Sequence, residues 1–311
     1  MKFQPGTELA RLVAAEHSDI VLDAVDLADP VHRAAVIAAS DLPSNMGDML
    51  TSPYLLLRAV RERSTVALSG ESADEVFGGY LWFHRPELVD ADAFPWHAGL
   101  IALTGRGLTE PALNLLAPDL IARLDLPGFR DAAYRQALSE VDHLPDEDPL
   151  ERRMRDVCHL HLTRFLQIML DRKDRMSMAH GREVRVPFCD HRLVEYVYNT
   201  SWRMKSFDGR EKSALRAATA DLVPESVRQR RKSPYPSTQD PRYELALRDG
   251  LRAVLADPGS PVRPLLDGAH AKAIAERDAT AAPLGYERYA IETVLSLDGW
   301  LRRYPVRLLL G

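Results

Sequence analysis

Cysteine is nearly absent from this sequence. Cys158 and Cys189 are the two thiols in 311 residues, too few for a disulfide framework or a zinc site built on several cysteines. Long apolar runs are missing as well, and no stretch approaches the roughly 20 residues of a membrane span. The opening Met1-Lys2-Phe3-Gln4-Pro5-Gly6 has no apolar signal core, which makes the cytoplasm the expected location. HExxH and GxSxG do not occur, so neither a zinc-hydrolase nor a serine-hydrolase signature is present. His159 and His161 do not make a metal pair, because residues i and i+2 on a helix point apart. Positive charge is not in excess either. Forty Lys and Arg against 45 Asp and Glu leave a formal charge of −5, which argues against a nucleic-acid binder along its whole length.

What is present is the composition of a globular protein, 46% hydrophobic and 27% charged. Leu9, Leu12 and Val13 predict a short helix over residues 8–17. Asp19 to Val25 (DIVLDAV) reads as a buried strand. Residues 30–40 and 52–63 read as helices, residues 41–49 as a loop, and Ser64 to Leu68 as a second strand. Strand, helix, strand with short connections predicts a parallel sheet. After about residue 90 the texture changes to helices joined by Pro-, Asp- and Gly-rich loops. The clearest helix covers 150–171, with a stripe from Met154 through Phe165 to Met169. The expectation is one α/β domain, with a sheet-forming part over about 1–90 and a mainly helical part over about 91–311.

The first chemically informative segment is Ser69-Gly70-Glu71-Ser72-Ala73-Asp74-Glu75-Val76-Phe77-Gly78-Gly79-Tyr80. Read structurally, Ser72 and Glu75 form a capping box, and the Gly pair ends a helix of about two turns. That leaves Gly70, Glu71 and Asp74 without a reason. Gly70 follows a strand, where a missing side chain lets a ligand approach the backbone. Ligands of open α/β sheets bind beyond the carboxyl ends of the strands. Glu71, Asp74 and Glu75 crowd like charges that need a cation or basic group nearby. On the residues alone, the structural and functional readings are evenly matched.

Lys212, in Phe207-Asp208-Gly209-Arg210-Glu211-Lys212, falls in the first turn of a helix, against the dipole. An ordinary surface lysine or an anion-binding one both fit. Arg228 to Lys232 is the densest basic run and reads as a solvated face, with Lys232 as a candidate ligand.

SGESADEVFGGY resembles the SGEGxDExFGGY segment of the synthetase domain of glutamine-dependent asparagine synthetases. Ser72 stands where that family often has Gly. DRKDRMSMAHGREVRVPFCDH (residues 171–191) resembles the family's RxDxMSMAHGxExRVPFLDH run, with Lys173 and Cys189 as departures. On that likeness Asp174, Arg175, Ser177 and Met178 are carried by a loop towards the nucleotide, and Cys189 is a small buried apolar residue. FDGREKSALR resembles the GxxKxxLR segment, and KSPYPSTQDP a basic segment that borders the cleft.

The resemblance implies an α/β fold of the adenine nucleotide alpha hydrolase type and an ATP-dependent amide ligase using ATP and Mg²⁺. It implies activation of aspartate as β-aspartyl-AMP, release of pyrophosphate, and attack by ammonia to give asparagine and AMP. Ser69 and Gly70 would contact ATP through the backbone, and Asp74 would help bind Mg²⁺-pyrophosphate. Lys212 would stabilise phosphate charge, Lys232 would border the nucleotide, and Glu71 would accept or position a proton. Asp48 and Thr51 are candidate aspartate contacts.

The family's SGGxDS phosphate loop occurs nowhere in these 311 residues, and position 2 is Lys rather than the family's nucleophilic Cys. The expectation is therefore a synthetase domain lacking its first strands, its loop and its glutaminase half. Three readings follow. It is a split or truncated asparagine synthetase, catalytic with a second chain that supplies the loop and the glutaminase. It is a relative making another amide, of β-lactam synthetase or macrocycle-forming type. Or it is a non-catalytic remnant that binds a partner. A sheet lacking strands exposes an edge, so the isolated chain is expected to be poorly soluble. A monomeric sample that melts cooperatively counts against that expectation.

Overall fold

The computed structural model describes residues 5–105, 112–233, 235–277 and 284–309. Helices dominate, and among the described residues one small parallel sheet is present. The elements that build the site are α1 (Pro30–Ser40), α2 (Asp48–Arg61), β1 (Val66–Leu68), α3 (Ala73–Phe77), α4 (Pro149–Leu160), α5 (Leu166–Met178), β2 (Glu183–Arg185), α6 (Ser213–Ala218), α7 (Pro241–Ala256) and α8 (Glu287–Arg303). No described helix is long and apolar enough to cross a membrane.

The two strands come from distant parts of the chain. Val66 lies opposite Glu183 and Leu68 opposite Arg185. Arg182 fixes this pairing. Its buried guanidinium donates to the carbonyls of Val60 (3.0 Å), Ser64 and Val66 (3.1 Å), joining the end of α2 to β1. A buried cation without such acceptors would be costly, so the arginine specifies where β2 meets β1.

The sheet-forming strand expected at Asp19 to Val25 is not there. Residues 18–23 have no regular structure, and a short helix, Ala24–Ala28, begins after Asp23. The Asp23 carboxylate accepts from the Val25 N–H (2.8 Å), an N-cap that commits the second half of the segment to helix. The first half has no strand beside it among the described residues, and Val21 is 90% exposed. β-branched composition alone does not make a strand without a ladder to join.

Other expectations hold with shifted ends. The first helix covers Pro5–Leu12 and the third segment is α1, as read. The helix expected over 150–171 continues to Met178, because a single wider turn at His161–Phe165 links α4 to α5 without breaking the axis. Met154, Val157 and Cys158 of its stripe are buried against Trp82, Phe83 and Trp202.

The largest apolar cluster packs Tyr243, Leu247 and Leu251 of α7 against Ile291, Val294 and Leu295 of α8, with Leu27 from the N-terminal part. At its rim lies Glu292, fully surrounded by protein and accepting from the Tyr243 hydroxyl. Gly47 sits beside it with φ of +40°, and a Cβ there would overlap the Glu292 carboxylate. Glycine is thus required by both backbone and space. Burial pushes the Glu292 pKa above its ordinary 4.5, despite nearby Arg33 and the Tyr243 hydrogen bond. A carboxyl raised on folding favours the native state below its unfolded pKa and weakens it as pH rises through the folded value. Glu292→Gln should therefore gain in melting temperature relative to wild type as pH climbs from 4.5 to neutrality. Parallel melting profiles for the two proteins would contradict this.

Candidate active site

The site lies where β1 ends. Ser69 and Gly70 follow the strand. The Ser69 N–H donates to the Arg185 carbonyl (2.9 Å) and prolongs the ladder, so this amide is committed to the sheet. Nothing lies within 4 Å of where a Gly70 Cβ would be, so the space expected there is open.

Ser72 does not form the expected capping box. Its φ of +80° turns its side chain away from α3, and it makes no side-chain cap. Its hydroxyl shares a 2.6 Å hydrogen bond with the Cys189 thiol. Cys189 is therefore half-buried and hydrogen-bonded rather than a simple apolar filler, and burial pushes its pKa up. The left-handed backbone here gives a physical reason for the glycine that the resemblance placed at this position. Glu75 turns from the helix start as well and accepts from the Tyr80 hydroxyl at 2.6 Å. Its carboxyl is raised, chiefly by burial and against that hydrogen bond, with Asp74 and Glu71 adding repulsion. The Gly pair does end α3, at φ of +67° for Gly78. At Gly79 a Cβ would strike the Asp74 carboxylate, so glycine leaves room for that side chain to fold back.

Asp74 gathers two lysines from far along the chain. Lys212 donates to Oδ1 at 2.6 Å, and Lys232 donates to Oδ2. Lys212 adopts φ of +57° just ahead of α6, and its N–H donates to the Gly78 carbonyl (3.4 Å). A lysine in this region of backbone space is strained, and the surrounding contacts hold it there. Burial alone would raise the Asp74 carboxyl, but the two ammonium groups overcome it and hold the carboxyl below its ordinary 3.8.

Glu71 stands between two other cations, with Arg172 Nη2 at 3.6 Å and Lys173 Nζ at 3.9 Å. The Arg172 guanidinium lies over the Tyr235 ring (5.5 Å), and Tyr235 shares a 3.1 Å hydrogen bond with Ser52. Arg172 and Tyr235 were not singled out in the sequence. The usable signal was helical phase, since Arg172 and Lys173 precede the buried Met176 by four and three residues and share its inward side.

Lys232 and Tyr235 belong to residues 230–240, which have no regular structure where described. This strap is tied at both ends. The Lys232 N–H donates to Glu211 Oε1 (3.0 Å), and Arg216 donates to the Arg230 carbonyl (2.8 Å). At the far end Asp48 accepts from the Thr238 N–H (2.6 Å), from the Ser237 hydroxyl (3.2 Å) and from Arg288 (2.8 Å).

Asp48 is thus buried in the first turn of α2, with its oxygens engaged by the fold. Thr51, also buried, donates to the Gly47 carbonyl (3.3 Å). Among the described hydrogen bonds and ion pairs, none joins either side chain to Asp74, Lys212 or Lys232. Asp174, Arg175, Ser177 and Met178 lie on α5 rather than on a loop. Arg175 pairs with Asp41 (2.8 Å) and Asp171 (3.2 Å), and Ser177 is buried.

Electrostatically, two lysines share one carboxylate beside a strand end, an excess of positive charge suited to a phosphate-bearing ligand. Among the described residues no three His, Cys, Asp or Glu side chains group to hold a metal. Mg²⁺ commonly uses one or two carboxylates plus substrate phosphates, and Asp74 with its oxygens facing lysines fits only that minimal share.

The asparagine synthase family pattern matches residues 6–302. The chain is 36% identical over 271 residues to asparagine synthetase (glutamine-hydrolyzing) 3 of Bacillus subtilis (strain 168), covering 85% of this chain and 42% of that protein. It is 26% identical over 205 residues to asparagine synthetase (glutamine-hydrolyzing) 1 of the same organism, covering 59% and 32%. To asparagine synthetase (glutamine-hydrolyzing) 2 it is 29% identical over 189 residues, covering 60% and 23%. The chain thus spans less than half the length of these relatives.

A depressed carboxyl stabilises the fold above its unfolded pKa and loses that contribution as pH falls through the folded value. Asp74→Asn should therefore lower stability to urea at pH 7 by about 1–2 kcal/mol. The gap should close as the pH drops below 3.8. A gap that does not change with pH would show that Asp74 is not the lysines' counter-ion.

Proposed function

The chain belongs to the asparagine synthase family, and we propose that it is the synthetase part of an ATP-dependent amide ligase that makes asparagine from aspartate. The observation that carries this reading is the convergence of Lys212 and Lys232 on Asp74, next to Glu71, at the carboxyl end of a parallel strand. We infer that the short sheet is part of a larger parallel sheet of the adenine nucleotide alpha hydrolase type, with ATP across its strand ends.

In the first step a carboxylate oxygen of aspartate attacks the α-phosphorus of ATP. A C–O–P linkage forms, the bond to the β,γ-phosphates breaks, and pyrophosphate leaves. Lys212 and Lys232 balance the charge that grows on the phosphate oxygens, a role worth most in a pocket closed to water. Arg172 and Lys173 beside Glu71 supply further positive charge. In the second step ammonia attacks the β-carbonyl carbon, AMP leaves, and Glu71 accepts the proton that ammonia gives up. Ser69 and Gly70 contact the nucleotide from the strand end, Ser69 through groups other than its sheet-bound N–H. Asp74 would help hold the Mg²⁺ that accompanies the polyphosphate, an ion that would neutralise charge on the phosphate oxygens.

The glycine-rich SGGxDS segment is not among these residues, and we infer that residues outside them complete the pyrophosphate site. Ammonia comes from a glutaminase on the same or another polypeptide, and the bracketed activity in the relatives' names favours glutamine as its source. The test is pyrophosphate release with ATP, aspartate and ammonium. Glu71→Gln and Lys212→Ala should each slow it by on the order of 10²-fold or more. Equal rates for wild type and both variants would sink the assignment.

A further inference from the structure

Lys232 has a second neighbour besides Asp74. Its ammonium nitrogen lies 5.1 Å from the centre of the Tyr80 ring, on the ring face. The ring is itself fixed on other sides. Tyr80 stacks on Trp82 at 4.8 Å with an interplanar angle of 10°, and Phe165 meets it edge-on at 5.4 Å. The Trp82 indole N–H donates to the buried His161 at 2.6 Å, and His161 bonds the Val157 carbonyl at 2.7 Å through its other nitrogen. At the far end of the phenol, the hydroxyl donates to buried Glu75.

This arrangement meets a specific need. Lys232 is on the strap, without a helix or strand to hold it. Its ionic partner, Asp74, is shared with Lys212. A phosphate that binds both lysines replaces Asp74 as counter-ion and releases the contact that located them. The ring face keeps its hold when that happens, because it attracts the cation without occupying the N–H groups turned towards the anion. Donation from the phenol to a carboxylate also pushes electron density into the ring, which strengthens its pull on a cation.

We propose that Tyr80 is a positioning residue that seats Lys232 for an incoming phosphate anion, with Glu75, Trp82 and His161 holding the seat. The proposal rests on the reading of the lysine cluster as the pyrophosphate site. Two readouts separate the seat from that reading. The first is the ε-methylene proton shift of Lys232, assigned with Lys232→Arg in lysine-labelled protein. The ring current should move it upfield in wild type and Tyr80→Phe and leave it near the random-coil value in Tyr80→Leu. The second is the affinity for magnesium pyrophosphate by calorimetry. Tyr80→Leu should weaken it about 3- to 10-fold, and Tyr80→Phe less.

In a Lys232→Ala background the Tyr80 substitutions should have no further effect, since the tyrosine acts through the lysine. An unshifted Lys232 signal in wild type would overturn the seat. So would an equal loss of affinity from Tyr80→Leu with and without Lys232. If no form binds magnesium pyrophosphate, the pyrophosphate reading fails, while the proton shift still decides whether the ring holds the lysine. If Tyr80→Leu does not fold, the proton shift in wild type carries the test, since an unshifted Lys232 signal overturns the seat.

Discussion

A single carboxylate, that of Asp74, is the knot on which the site depends. It draws together α3, the turn before α6 and the strap. Taking a carboxylate out of water is unfavourable unless charge returns to it, and here two ammonium groups do so. Gly79 and the left-handed turn at Gly78 exist in service of that arrangement, since any side chain at 79 would displace the carboxylate. Tyr80, directly after, turns the same short helix end into a seat for one of the lysines.

The strap extends this logic across the molecule. Its Lys232 end is tied to Glu211, its middle to Ser52 through Tyr235, and its far end to Asp48 and Arg288. Arg288 belongs to α8, in the helical core, and also lies over the Tyr243 ring at 4.9 Å. A segment without backbone ladders is thereby held by side chains from two helices, α2 and α8, and from the turn before α6. The buried Asp48–Arg288 pair contributes more to where the strap runs than to stability, because much of its attraction is offset by desolvation.

Much of the site was legible in the sequence where chemistry was written into local patterns. SGESADEVFGGY brought out Glu71 and Asp74, whereas the helix dipole alone left Lys212 open, and the structure sets it ahead of α6 rather than in its first turn. What stayed hidden depended on tertiary context. Asp48 read as a loop residue and candidate aspartate contact, yet it is buried on α2 at an internal junction with Arg288, which follows it by 240 residues. The capping-box pattern at Ser72 and Glu75 was sound by spacing but was overridden by a φ of +80°, which spacing does not report. DIVLDAV had strand composition, yet the N-cap at Asp23 commits its second half to helix, and among the described residues no strand lies beside the first. The basic run at 228–232 read as a solvated face, while one of its members, Lys232, turns inward to Asp74 and Tyr80.

The distances along the chain between Asp74 and its partners also bear on how the protein is made. Lys212 follows Asp74 by 138 residues and Lys232 by 158. Contacts so far apart in sequence form late, after the loops between them have been closed. On the ribosome, SGESADEVFGGY emerges long before either lysine, so the nascent chain carries its acidic motif without the counter-charges that shape it. The cluster is therefore unmade until both lysines have been synthesised. It takes form only once residues 230–240 have been released and tied to Glu211 at one end and to Asp48 at the other.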